Sequence, residues 1–265
     1  MTQKDYKTLT CTVDEGLARV TLTEADRGNP IDGDFCQDFC DLSIALSLDP
    51  SVRAVLITAE GRFFSVGGDI RSFLASREDL PTKVLDWTAK LHAGISRFQR
   101  MNAPVITAVH GDAVGGSVSM VAHSDVNFAA EGTSFVAAFT GIGYCGDSGS
   151  TVSLSNRMGL ARAKRFLLLS ETLSAAEAQD AGLIDFVVPA DDLIAQAEKT
   201  ARKLASGPTQ AYGEIKRTIL TARTDPFETQ LEHEAQGMAR LAATDDVWEG
   251  LTAFGERRKP EFKGR

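Results

Sequence analysis

Residues 63–70 read FFSVGGDI, and residues 104–116 read PVITAVHGDAVGG. Each stretch places two adjacent glycines just past a predicted strand, which indicates a tight turn at a strand end. Ligands of α/β folds bind at such ends, where the N–H groups of a turn or a helix N-terminus attract negative charge. Two converging N–H groups would form an oxyanion hole. Taken alone, each turn favours the simpler interpretation of glycine that only satisfies turn geometry.

The pattern on either side of these turns alternates between the two types of element. Strands are expected at 17–23, 52–58, 104–109, 126–129 and 183–188, and helices at 31–48, 82–101, 116–123, 159–170 and 174–181. This alternation predicts an α/β fold. From residue 191 onward only helical patterns occur, with breaks near 207–208, 225–226 and 245. We therefore expect a core over residues 1–204 and a C-terminal helical appendage over residues 205–265.

Composition and charge exclude several classes of protein. The chain has 265 residues, with 28 basic and 36 acidic side chains and a net charge of −8, so a basic nucleic-acid footprint is not expected. No apolar run is long enough for a membrane helix, and the start, MTQKDYK, predicts no secretory signal. The four cysteines form no CxxC pair and no histidines lie four residues apart, so we expect no metal site and a reducing cytoplasm.

Several segments resemble one family in collinear order. Residues 63–70 resemble the first oxyanion loop of the crotonase, or enoyl-CoA hydratase/isomerase, superfamily, and residues 104–125 resemble its second loop and helix. The similarity continues through residues 159–188 and 251–262. It implies a crotonase-type ββα spiral core that binds a coenzyme A thioester, with no cofactor beyond the coenzyme A of the substrate. It also implies that the N–H groups of Gly68 and Gly116 hold the thioester oxygen while an enolate forms.

The hydratases of this family add water with two glutamates. The matching positions in this chain are Ser119 and Phe139. Serine is a poor general base at neutral pH, and phenylalanine transfers no proton. Hydration by the paired-glutamate mechanism is therefore not expected.

A single carboxylate, Asp147, replaces them. Residues 135–151 are similar to the corresponding segment of ring-1,2-epoxyphenylacetyl-CoA isomerases, which also have phenylalanine at the Phe139 position. The resemblance implies that Asp147 is the acid/base of double-bond isomerisation. The competing interpretation is that Asp147 only caps the helix after it, because aspartate is a favoured N-cap residue.

His92 is a second candidate for chemistry. Its spacing to the second glycine turn, together with Asp147, resembles the 4-chlorobenzoyl-CoA dehalogenases, in which a histidine is the base and an aspartate the nucleophile. Those enzymes carry tryptophan where this chain has Phe139. A histidine on a long amphipathic helix is more often exposed or structurally paired.

The remaining candidates bind substrate. The resemblance and the apolar character of the side chains assign the acyl pocket to Val66, Ile70, Val114 and Phe139. Coenzyme A carries phosphates, and family position suggests contacts from Arg27, Arg71, Phe254 and Arg257, the last two reaching a neighbouring subunit. The last ten residues hold five basic and two acidic side chains, which agrees with an anionic ligand there.

We expect from this an acyl-CoA enzyme, most simply an enoyl-CoA or ring-epoxide acyl-CoA isomerase, that assembles as a homotrimer or a pair of trimers. The alternatives are an enoyl-CoA hydratase, a dehalogenase of the 4-chlorobenzoyl-CoA type, and an acyl-CoA-binding protein without catalysis.

Overall fold

The structure is a computed structural model that describes residues 6–75 and 77–265. Residues 1–5 and Ser76 lie outside the described residues. The first five residues are part of the segment MTQKDYK, from which no secretory signal is predicted. The strands are β1 Leu9–Asp14, β2 Leu17–Leu22, β3 Ala54–Ala59, β4 Val105–Val109, β5 Ala113–Val114, β6 Val126–Ala130, β7 Ser134–Val136, β8 Thr172–Ser174 and β9 Phe186–Val188. The helices are α1 Gly33–Leu48, α2 Ile70–Leu74, α3 Leu80–Arg100, α4 Gly116–Ala122, α5 Ser150–Met158, α6 Leu160–Leu168, α7 Ala175–Asp180, α8 Leu193–Ala205, α9 Thr209–Thr221, α10 Phe227–Ala242 and α11 Asp245–Glu256.

The larger sheet has the strand order β1-β2-β3-β4-β6-β9. β1 and β2 form an antiparallel pair, and all the other neighbours are parallel. β4 reads VITAV and is buried along its whole length, as expected for a parallel strand that is covered on both faces. Because β3 and β4 are parallel neighbours, the two glycine turns that follow them leave the same edge of the sheet.

Helices cover both faces of this sheet. α1 and α3 pack against each other, and their apolar side chains join the larger core cluster. α8 lies on the opposite face against β2, β3, β4 and β6. Its contact stripe consists of Leu193, Ala197, Ala201 and Ala205, which recur every four residues and are all buried. Three small side chains in this stripe let the helix approach the sheet closely.

A second, three-stranded sheet has the order β5-β7-β8. β5 pairs in parallel with β7, and β7 pairs antiparallel with β8. β5 lies directly before the second glycine turn, so the position of this turn depends on strands from distant parts of the chain.

The C-terminal helices are anchored to the core through a buried lysine. Lys216 on α9 pairs with Asp125 at 2.7 Å and donates to the carbonyl oxygens of Phe98 and Ala103, each at 2.9 Å. The predicted breaks near 207–208, 225–226 and 245 separate α8, α9, α10 and α11, which confirms a helical C-terminal region. The division at residues 204 and 205 stays a prediction.

The predicted alternation of strands and helices is confirmed. The strands β1, β5, β7 and β8 and the helix α2 are not expected from the sequence, and the helix expected after Asp147 is α5. Ser174 and Glu177 form the capping box that their spacing predicts at the start of α7. Among residues 6–75 and 77–265, no helix combines the length and apolar character needed to cross a membrane.

Candidate active site

A cavity of about 470 Å³ opens beside the two glycine turns. Eight residues expected at the site from the sequence line it, namely Val66, Gly68, Ile70, His92, Val114, Gly116, Phe139 and Asp147. Most of the other lining side chains are apolar, including Ile31, Phe73, Trp87 and Leu91. A concave, mainly apolar space with a few polar groups is typical of a small-molecule site.

Backbone hydrogen bonds join the two turns. Val114 N–H donates to the Ser65 carbonyl at 3.0 Å, and Phe64 N–H donates to the Asp112 carbonyl at 3.1 Å. An isolated parallel bridge also pairs Ser65 of the first turn with Ala113 of the second. These strand-like backbone hydrogen bonds fix the distance between the two turns.

Gly67 makes the close approach of the turns possible. Its φ is +77°, and a Cβ on this residue would lie 2.5 Å from the Val114 carbonyl oxygen. Any side chain here would be strained and would force the turns apart. Gly67 is thus required by packing as well as by turn geometry.

The N–H groups of Gly68 and Gly116 are free to bind a ligand. Within the described part of the chain, neither group donates a hydrogen bond to protein, whereas their neighbours Gly67 and Gly115 do. Gly116 is the first residue of α4, whose first N–H groups have no intrahelical acceptor. Both glycines line the same cavity.

Asp147 lies next to Gly116. A Cβ on Gly116 would be 3.2 Å from Asp147 Oδ1 and 3.1 Å from Ser148 Oγ. Burial raises the pKa of Asp147 above its usual range, although the hydrogen bond from Ser148 Oγ acts in the opposite direction. A carboxylate of increased basicity therefore lies beside one of the two free N–H groups.

The carboxylate of Asp147 does not cap α5. Gly149 is the N-cap residue of this helix, and no side chain supplies a cap hydrogen bond. The backbone carbonyl of Asp147 accepts from Ser150 N–H at 2.8 Å instead. The capping interpretation is therefore wrong, and the side chain is directed to the cavity that it lines.

The two positions that carry glutamate in the family's hydratases lie in different surroundings. Ser119 is fully buried, and its Oγ has no hydrogen-bond partner among the described residues. Phe139 lines the cavity. Within residues 6–75 and 77–265, Asp147 is the only carboxylic acid in the lining.

His92 is exposed at the cavity, but its Nε2 is engaged. This nitrogen accepts a hydrogen bond from Ser148 N–H at 3.1 Å. Because the donor is a backbone amide, Nε2 of His92 is the acceptor and carries no proton in this hydrogen bond. His92 therefore contacts the loop that carries Asp147.

Three aromatic side chains that the sequence did not single out form one wall. Phe73 on α2 stacks on Trp87 of α3 with ring centroids 5.9 Å apart, and it contacts Tyr144 at 5.8 Å. Trp87 lies with Val84, Thr88 and Leu91 on one side of α3. The sequence shows this spacing as the apolar face of an amphipathic helix, and a tryptophan on that face is the feature that could have indicated the aromatic wall.

The candidate coenzyme A contacts lie outside this lining. Arg27 is paired with Glu24 at 2.7 Å and with Asp32 and Asp69 at 2.8 Å each. Phe254 on α11 is 87% exposed. Arg71 and Arg257 are also absent from the residues that line the cavity. Their role in nucleotide binding stays a prediction.

The Arg27 ion pairs connect two helix starts. Asp32 accepts from Phe35 N–H as the N-cap of α1, and Asp69 accepts from Arg71 N–H as the N-cap of α2. Asp69 directly follows Gly68 in the chain. Arg27 thereby holds the first turn against α1. In the described residues, no group of three or more His, Cys, Asp or Glu side chains is arranged to hold a metal ion.

Comparisons with known proteins agree with this architecture. The sequence model of the family "Enoyl-CoA hydratase/isomerase" matches residues 12–265. The chain is 32% identical over 257 residues to 1,2-epoxyphenylacetyl-CoA isomerase of Escherichia coli K12, covering 96% of this chain and 97% of that protein. It is 32% identical over 221 residues to 2,3-dehydroadipyl-CoA hydratase of the same organism, covering 83% and 85%.

The fold is also found in solved structures. An enoyl-CoA hydratase from Bacillus anthracis superposes with a TM-score of 0.91 at 26% identity, covering 98% of this chain and 100% of that one. The chain belongs to the enoyl-CoA hydratase/isomerase family, in the crotonase superfamily, as residues 63–70 and 104–125 suggest. The family acts on acyl-CoA thioesters, and the relatives include both hydratases and isomerases.

Proposed function

We propose that the protein is an acyl-CoA isomerase that moves a double bond through an enolate, or that uses the same oxyanion hole to assist ring expansion of a ring-epoxide acyl group. The observation that carries the proposal is the single carboxylate of the cavity, Asp147, beside the free N–H groups of Gly68 and Gly116. Hydration in this family uses two carboxylates, whereas a 1,3-proton shift needs one group that first takes a proton and then returns it.

The proposed reaction begins with the thioester carbonyl of a 3-enoyl-CoA against the two glycine N–H groups. Asp147 takes a proton from C2, and the electrons of this C–H bond move to the thioester oxygen to give a dienolate. The two N–H donors stabilise the oxyanion; removal of one such donor in other enzymes costs about 2.7–4 kcal/mol. The protonated Asp147 then returns the proton at C4, the electrons move back from the oxygen, and a 2-enoyl-CoA results.

The electrostatics of the site support this role. The pKa of Asp147 is raised mainly by burial, which makes its carboxylate a stronger base than an exposed one. Gly116, whose N–H is free, is the first residue of α4, and the positive end of a helix favours negative charge on the thioester oxygen. Charge thus moves from Asp147 to the oxygen within one small apolar space.

The remaining features of the proposal come from the sequence. Coenzyme A would enter as part of the substrate, and no further cofactor takes part. Assembly as a homotrimer or a pair of trimers and a cytoplasmic location stay predictions. The enoyl-CoA hydratase, the dehalogenase and the non-catalytic acyl-CoA-binding protein are the competing functions.

A parallel assay of three thioesters separates these functions. Purified protein is given 3-hexenoyl-CoA, 2-hexenoyl-CoA and 4-chlorobenzoyl-CoA, and products are followed by absorbance and mass spectrometry. We expect the first to be converted to 2-hexenoyl-CoA. A fourth arm with a ring-epoxide acyl-CoA tests the alternative substrate. Rapid hydration of 2-hexenoyl-CoA without isomerisation, or chloride release, would contradict the proposal, and calorimetric binding without any turnover would favour a non-catalytic protein.

A further inference from the structure

Ser148, the residue after Asp147, adopts an unusual backbone conformation. Its φ is +53°, in the left-handed region, and its side chain is fully buried. A residue other than glycine is strained in this region and remains there only where its surroundings hold it. The next residue, Gly149, also has a positive φ, +72°. The backbone at Ser148 therefore needs contacts from other parts of the chain to stay in this conformation.

Two histidines, one on α3 and one at the end of α4, form hydrogen bonds with this one residue. His92 on α3 accepts from Ser148 N–H at 3.1 Å, and His123, at the C-terminal end of α4, bonds the Ser148 carbonyl oxygen through Nε2 at 3.0 Å. Because a carbonyl only accepts, His123 carries its proton on Nε2, whereas His92 presents Nε2 as a lone pair. The two rings must hold opposite nitrogen roles for both bonds to exist.

The surroundings favour this arrangement of protons. Burial lowers the pKa of His123, although the hydrogen bond to the Ser148 carbonyl acts in the opposite direction. Gly149 leaves room for the ring, since a Cβ there would lie 2.5 Å from His123 Nε2. The carbonyl of His123 in turn accepts from the side chain of Gln99, seven residues beyond His92 on α3.

α4 thereby connects the two halves of the site. It begins with Gly116, whose N–H is free, and ends against His123, which binds the residue after Asp147. α3 holds the same residue from the other side through His92. The distance from the free N–H of Gly116 to the Asp147 carboxylate is thus set by two helices that meet at a single serine.

We propose that His92 and His123 are positioning residues, which hold the peptide of Ser148 and so direct the Asp147 carboxylate towards the cavity. His92 in this role transfers no proton to the substrate. The inference rests on the proposed function for its effect on turnover, while the hold on Ser148 is independent of any reaction.

The variants His92→Phe and His92→Gln test the role of the ring nitrogen. Phenylalanine removes the acceptor, whereas the glutamine side-chain oxygen can still accept from Ser148 N–H. We expect kcat to fall about tenfold in His92→Phe, with KM changed less than about twofold, because misplacement of a catalytic group acts on turnover. His92→Gln should recover kcat to within about threefold of the wild type. His233→Gln on α10 is the control for the loss of a histidine elsewhere, and it should match the wild type.

Hydrogen exchange supplies a readout that requires no substrate. The amide of Ser148, measured in peptides covering residues 144–151, should exchange about tenfold faster in His92→Phe and at nearly the wild-type rate in His92→Gln, as expected for the loss of one hydrogen bond. Unchanged exchange in His92→Phe would overturn the proposal. A second outcome would also contradict positioning. If His92→Gln were as slow in turnover as His92→Phe while the Ser148 amide stayed protected from exchange, His92 would act as an acid/base. Altered exchange in a protein inactive on every thioester would support the hold and refute the isomerase.

Discussion

The two sides of the cavity are built in different ways. On one side, Gly68 and Gly116 offer backbone N–H groups from turns joined by strand-like hydrogen bonds. On the other, Asp147 offers a side chain from a loop in which Ser148 N–H donates to His92 and the Ser148 carbonyl accepts from His123. The first side depends on main-chain geometry, and the second depends on a few particular side chains.

The two kinds of construction place different demands on the sequence. Backbone donors need only glycines at the right positions, so the oxyanion side tolerates many changes elsewhere. A carboxylate on a loop can be moved, removed or replaced with few substitutions. We expect the two sides to respond differently to substitution, and four measurements test this expectation.

The largest effect is expected on the side-chain side. Asp147→Asn keeps the shape of the residue and can still accept from Ser148 Oγ, but it cannot take a proton from C2. We expect kcat for isomerisation to fall by at least about 100-fold, as for the loss of a general base. Circular dichroism and acyl-CoA affinity should be unchanged. A turnover rate near that of the wild type would remove Asp147 from the mechanism.

The next effect concerns the backbone side. Gly67→Ala adds a methyl group 2.5 Å from the Val114 carbonyl oxygen at φ +77°, so the turns must separate. The matched control is Gly132→Ala, at φ +84° with no atom within 4 Å of the added carbon. Both variants carry the left-handed strain of about 1–2 kcal/mol. Only Gly67→Ala should also lose roughly tenfold in kcat, since it displaces an oxyanion donor. Equal kinetics in the two variants would mean that the close contact is unimportant.

A smaller effect is expected for Arg27, which connects the first turn to α1. Arg27→Gln should reduce kcat/KM about two- to fivefold, because a partly exposed ion pair is worth roughly 1 kcal/mol or less. The reduction should be equal for a coenzyme A thioester and for the matching pantetheine thioester, which lacks the nucleotide. Lys7→Gln, which breaks the exposed pair with Asp34, serves as the control. A loss confined to the coenzyme A substrate would instead assign Arg27 to the phosphates.

The smallest effect is on stability, and its sign differs between the two sides. The folded pKa of Asp147 is raised, so its ionised form destabilises the fold above that pKa and has no effect well below the unfolded value of about 3.9. Asp147→Asn should therefore melt at a slightly higher temperature than the wild type at pH 7.5, and the gain should disappear as the pH falls to about 3, below the unfolded pKa.

Asp69 provides the opposite case. Burial alone would raise the pKa of Asp69, but hydrogen bonds from Ser72 and Arg71 and the charge of Arg27 outweigh it, and the pKa is lowered. Its ionised form stabilises the fold above the unfolded pKa, and this stabilisation is lost as pH falls through the folded pKa. Asp69→Asn should thus melt lower at pH 7.5 and approach the wild type in acid. The same sign of change in both variants would contradict this contrast.

Prediction from the sequence was most successful for long, periodic elements. The strand before each glycine turn and helices α1 and α3 were placed within a few residues, because apolar periodicity reports burial directly. β5, β7 and β8 are two or three residues long and were missed. Such short strands exist only because distant segments pair with them, and no local pattern encodes that pairing.

The site shows the same division. Gly68, Gly116 and Asp147 were identified through collinear motifs, and each lines the cavity. His123 received no role from the sequence, because its partner Ser148 lies on a loop 25 residues away. The aromatic contacts of Phe73 with Trp87 and Tyr144 likewise join separate segments.

The sequence by itself determined the family, the α/β alternation and the chemical groups available, because each of these is a property of residue type and local order. Only the tertiary structure decided which groups are adjacent and which are free. It leaves the N–H groups of Gly68 and Gly116 without a protein acceptor, keeps the Asp147 carboxylate from capping α5, and brings two histidines into hydrogen bonds with Ser148. Adjacency depends on how strands and helices pack across long sequence separations, and basicity depends on the burial that results from this packing.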